Sequence, residues 1–221
     1  NTAQDLNLHE SATGAIVSNV PANQIDPYIT QAFWSPIGNK LVFVASNTAG
    51  PEGLLSVEEG SIYTMDFSTA TGTATLSNPQ VISAPLTAGG NVFYPSFSPD
   101  GEWIAFCSSP GGESYNNVDS ELWLVKSDLS VGPIRLDRAN LGPQLYNSWP
   151  RWAPTVMQGK YWLVFSSQRD YGPFIEPGPQ QLWVTQIDTN LLPGDPSHPA
   201  LWLPGQFAFS GNLTAEWSIS Q

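Results

Sequence analysis

Residues 94–109 read Tyr94-Pro95-Ser96-Phe97-Ser98-Pro99-Asp100-Gly101-Glu102-Trp103-Ile104-Ala105-Phe106-Cys107-Ser108-Ser109, two strands folded over one tight turn. Pro99 sets φ near −65° and Gly101 accepts positive φ, the requirements of a β-turn. Beyond the turn, Ile104 and Phe106 point one way and Ala105 and Cys107 the other, the period of two that a strand imposes. A third apolar run, ELWLVKSD, follows at 121–128 after a longer connection.

The same arrangement occurs three times. AFWSPIGNKLVFVAS at 32–46 and WPRWAPTVMQGKYWLVFSS at 149–167 match the central stretch, and SIYTMDF from Ser61 and QLWVTQID from Gln181 match its third run. First-strand aromatics Trp34, Phe97 and Trp152 lie 63 and 55 residues apart, and Trp217 follows 65 later. Phe43, Phe106 and Phe165 on the second strands keep step, as do Tyr63, Trp123 and Trp183 on the third. Weaker fourth strands are expected near 80–83, 133–136 and 200–203. Repeats of this length with four strands each are propeller blades. The expected architecture is all-β, a β-propeller of four-stranded antiparallel blades, with three complete blades and partial terminal strands. The boundaries are 31–92, 93–147 and 148–213 for the blades. Residues 1–30 hold one strand at 14–20 that closes or adjoins a blade, and 214–221 begin a further one. Trp34, Trp152 and Trp217 read as blade packing, and Cys107 as a buried thiol.

The F-S-P-D-G-x-x-I-A-F pattern of 97–106 followed by Leu122-Trp123-Leu124-Val125 resembles the TolB-like branch of WD40-like β-propellers. The first unit departs from that pattern at Ile37-Gly38, and the third lacks the Asp-Gly pair. The resemblance implies a non-catalytic module for protein–protein interaction or assembly, periplasmic or extracellular, without catalytic residues. Two other expectations stand beside it: the gating propeller of a larger hydrolase such as a prolyl-oligopeptidase-like peptidase, and a small-ligand or carbohydrate binder.

Composition narrows the partners. Seven basic against 19 acidic residues give a formal net charge of −12, so a polyanion such as nucleic acid is repelled. No apolar run reaches the roughly 18 residues of a membrane span. One cysteine excludes an internal disulfide. Only His9 and His198 offer imidazole, and no nucleophile elbow, zinc helix or phosphate loop occurs; no enzyme is expected. No cofactor is expected either, although carboxylates in the loops admit calcium, a hard cation that takes oxygen ligands.

The connections between second and third strands, 47–60, 110–120 and 168–180, are long and should emerge on one rim. Loops on a rigid scaffold commonly carry function. The binding residues expected there are Glu58, Tyr115, Asn117, Asp119, Arg169, Tyr171, Phe174 and Glu176. Three blades alone leave two aromatic-rich faces bare. Either the strand at 14–20 joins the segment around Trp217 to shut a small ring, or further polypeptide covers the faces; the second is the expectation.

Overall fold

A computed structural model describes residues 5–20, 24–50, 53–70, 72–170, 178–207 and 209–218. A hairpin of β1 (Leu6–His9) and β2 (Ile16–Val20) comes first. Then follow β3 (Tyr28–Trp34), β4 (Lys40–Ser46), a small hairpin of β5 (Thr48–Gly50) and β6 (Gly53–Glu58), β7 (Ser61–Ser68) and β8 (Thr75–Ser83). The second unit holds β9 (Asn91–Phe97), β10 (Trp103–Ser109), β11 (Glu121–Lys126) and β12 (Ile134–Arg135). The third holds β13 (Ser148–Trp152), β14 (Lys160–Ser167), β15 (Gln181–Asp188) and β16 (Leu201–Trp202). Each unit is a four-stranded antiparallel sheet in chain order, β3-β4-β7-β8, β9-β10-β11-β12 and β13-β14-β15-β16. Strands β3, β9 and β13 adjoin one another at the inside, so the sheets stack as three blades of a propeller-type fold.

The turns expected from Pro and Gly form. In the second blade the Gly101 N–H donates to the Ser98 carbonyl at 2.9 Å, Gly101 takes φ 72°, and Ser98 Oγ donates to Asp100 at 2.6 Å. The Tyr161 hydroxyl of the third blade donates to the other oxygen of Asp100 at 2.7 Å, so the turn also ties two blades together.

Register on the second and third strands is as the spacing requires. Phe43 stands opposite Tyr63, Phe106 opposite Trp123 and Phe165 opposite Trp183, and all three Phe rings are fully buried. Each inner strand carries a bulge: Gln31, Tyr94 and Trp149 sit at the register shifts with φ of 53°, 53° and 47°. A bulge re-aims backbone groups, and here it serves the blade contacts. Gln31 Oε1 accepts from the Tyr94 N–H at 2.6 Å, and Ser96 Oγ donates to the Pro150 carbonyl at 2.8 Å.

One expectation requires correction, and one alternative is settled. Trp152 is 8% exposed, but Trp34 is 47% and Trp217 40% exposed. The first-strand aromatic packs toward its chain neighbours, and only the central interfaces supply cover on both sides. The strand within 14–20 does not pair with the segment around Trp217 among the described residues. It pairs with β1, and Leu6 and Val20 pack with Ile29, Leu41, Phe43 and Met65 on the outward face of the first blade.

Cys107 is fully buried, with its Sγ 3.4 Å from the Asn147 carbonyl. Burial pushes the thiol up to about 12, so at pH 8 essentially no thiolate exists to react. A disulfide reagent should leave the folded chain unmodified for hours and titrate one thiol per chain in denaturant. Rapid labelling of the folded chain would place Cys107 outside the blade interface.

Candidate functional site

The long connections do emerge together, and hydrogen bonds weld them into one surface. Asn91, at the start of β9, is fully buried. Its Oδ1 accepts from the Gly60 N–H at 2.8 Å, and its Nδ2 donates to the carbonyls of Val57 at 2.6 Å and Gly112 at 2.9 Å. Ser114 completes the seam: Val57 N–H donates to Ser114 Oγ at 3.0 Å, and Ser114 N–H donates to the Val57 carbonyl at 2.9 Å. Asn91 and Ser114 thus tie the rim loops of the first two blades together.

A second seam joins the rim loops of the second and third blades. Asn140 accepts from the Leu122 N–H at 2.8 Å and donates to the Leu122 carbonyl at 2.9 Å. Asn147 donates to Asn140 Oδ1 at 3.0 Å, and Gln168 donates to Asn116 Oδ1 at 2.7 Å. Arg169 enters the same network: Nη1 donates to the Ala139 carbonyl and Nη2 to Asn147 Oδ1, each at 2.8 Å. Its guanidinium lies 5.1 Å from the Phe165 ring and 5.2 Å from that of Trp183. Burial brings its pKa down to about 10.

The expected binding residues therefore divide. Tyr115 is exposed at the rim and stands edge-on to Trp149 at 6.3 Å, which in turn stacks on Tyr94 at 4.6 Å. Asp119 is exposed and Glu58 half-buried. Asn117 is turned inward, donating to the carbonyls of Gly111 and Glu113 at 2.9 Å each, so it shapes its loop. Arg169 is likewise a fastening inside the fold, not a cation offered at the rim. Tyr171, Phe174 and Glu176 lie outside the described residues. The sequence reading missed Asn91, Ser114, Asn140 and Asn147. Asn91 and Asn147 stand six and five residues before Phe97 and Trp152, a recurrence that marks the entry to an inner strand.

Between the loops at 108–110, 118–121 and 142–145 opens a cleft of about 440 Å³, lined by Leu86, Val118, Asp119, Glu121, Trp123 and Leu145 among others. Apolar walls with two carboxylates suit an apolar or cationic group. Glu59, Asp119 and Asp170 are exposed on the rim loops, while the Arg169 guanidinium is turned toward the Ala139 carbonyl and Asn147 Oδ1. The rim is an acidic, partly apolar surface. Among the described residues no cluster of three or more His, Cys, Asp or Glu is placed to hold a metal ion.

No family model matches the chain, and no curated protein matches it. Among solved structures, one from a study of two prolyl endopeptidases matches with 12% identity over 75% of this chain and 21% of that one, at a TM-score of 0.43. A dipeptidyl aminopeptidase IV-type protein from Bacteroides ovatus matches with 16% identity over 86% of this chain and 30% of that one, at a TM-score of 0.38. The chain spans less than a third of either.

Proposed function

We propose that the chain is a non-catalytic propeller module that binds a protein partner through the rim built by residues 56–60, 112–120, 140–147 and 168–170. The observation that supports this is the pair of buried asparagine seams. A surface held by buried side chains loses little conformational freedom on docking, which lowers the cost of association. Exposed Tyr115 and Val118 supply the apolar and aromatic anchor that interfaces favour. The carboxylates around them select a partner segment bearing Lys or Arg.

Zero-length carbodiimide cross-linking in extracts of the source cells tests this. Asp119, Glu59 and Asp170 should couple to lysines of one partner, whereas Glu102 and Asp128 on the opposite face should not. Tyr115→Ala combined with Val118→Asp should weaken the complex by about tenfold or more, as loss of an interface anchor does, with an unchanged melting temperature. Equal coupling on both faces, or an unaffected complex, would refute the rim.

The cleft supports a second reading, in which a small ligand stacks on Trp123 between Asp119 and Glu121. Saccharide-dependent quenching of tryptophan fluorescence, lost in Trp123→Phe, would favour it.

A further inference from the structure

The segment after the third blade repeats the entry to a blade in three separate respects. The first is backbone conformation. Gln31, Tyr94 and Trp149 each stand three residues before a first-strand aromatic and take positive φ; Thr214 stands three residues before Trp217 and takes φ 52°. For a β-branched residue this is an uncommon and costly conformation, so packing of the segment must hold it there.

The second is the indole. Trp152 Nε1 donates to the carbonyl of Ser96, the residue before Phe97, at 3.0 Å. Trp217 Nε1 donates to the carbonyl of Arg151, the residue before Trp152, at 3.2 Å. The third is the linker. Asn140 clamps both backbone groups of Leu122 on its way to β13. Gln206 clamps both groups of Leu182, the matching residue on β15, with Oε1 accepting at 2.7 Å and Nε2 donating at 2.8 Å.

We propose that residues 215–218 are the innermost strand of a fourth blade, and that the face beyond the third blade docks further polypeptide of this same repeat, supplying the three outer strands. Burial supports that occupant. Every residue of β9 and β10 is buried, because the second blade is flanked on both sides. Residues 213, 214 and 216–218 are exposed, and on the same side of the third blade Trp162 and Leu201 stand 41% and 61% exposed. Among the described residues the N–H and C=O groups of 215–218 pair with no strand. A globular partner pressed against the side chains would leave those groups without a ladder; an added antiparallel strand satisfies them. This face is separate from the rim, and neither proposal depends on the other.

The test compares the 221-residue chain with one in which Ser218 runs into a copy of residues 99–136, so that Trp217-Ser218 replaces Phe97-Ser98 in register. Hydrogen exchange at the amides of 215–218 should slow by about tenfold or more, the signature of a newly paired strand, and the melting temperature should rise. A scrambled copy of the same composition should do neither. Because the extended chain could misfold, a peptide of residues 98–109 is also added to the unmodified chain, where it should slow the same amides. Indifference to both, or equal protection by the scrambled copy, overturns the proposal. So does concentration-dependent protection in the unmodified chain alone, which would make a second copy the occupant.

Discussion

Replacing Phe106 with alanine is expected to destabilise the chain by about 3–5 kcal/mol, the range for a large aromatic truncated in a close-packed core. The ring is fully buried on β10 opposite Trp123, in the cluster that runs unbroken through all three blades. The cavity it leaves lies between two sheets, which are stiff and cannot collapse toward each other without breaking their ladders. Chemical denaturation monitored by tryptophan fluorescence gives the number. Phe43→Ala should cost less, because its ring packs in the smaller cluster under the β1–β2 hairpin. A loss below about 1 kcal/mol at Phe106, far under the core range, would mean that the blades are not in contact there.

Asn91→Ala should remove about 1–3 kcal/mol, since it leaves the buried Gly60 N–H without its acceptor and takes one donor from each of the Val57 and Gly112 carbonyls. Asn91→Asp should be no milder at neutral pH, because a second acceptor would then face the carbonyls of Val57 and Gly112. Hydrogen exchange provides the local readout: the Gly60 amide, which donates to Asn91, should open early while the amides of β14 keep their protection. Uniform loss of protection through all three blades, or none, would mean that the seam is not a local fastening of the rim.

The blades were legible because they answer to periodicity. Phe43, Phe106 and Phe165 recur with their opposite aromatics at a nearly constant interval, and the turn at 98–101 names its own conformation. The rim was legible only as a place. Loop length located it, but the direction of Asn117 and Arg169 depends on carbonyls brought close by tertiary packing, which no spacing encodes. Arg169 is instructive: a lone cation among acids looks like a surface feature, yet three neutral acceptors and two rings hold it inside. The bulges at Gln31, Tyr94 and Trp149 were invisible for a different reason. None of Gln, Tyr and Trp is a residue that favours positive φ, so the conformation belongs to the position rather than to the side chain.

The alternation on the second strands gives the stack a polarity. In every blade the aromatic of that strand, Phe43, Phe106 or Phe165, looks toward the N-terminal neighbour, while Val42 and Val44, Ala105 and Cys107, or Val164 and Ser166 look the other way. Each junction is therefore a plug meeting a socket, a heterologous contact between unlike surfaces. Two copies approaching through the same end would bring plug to plug or socket to socket, and a two-fold symmetric pair through these faces finds no complement. Growth of such an array runs in one sense only. At the plug end of this chain Leu6 and Val20 of the first hairpin pack over Phe43, whereas on the socket side of the third blade Trp162 and Leu201 stand exposed.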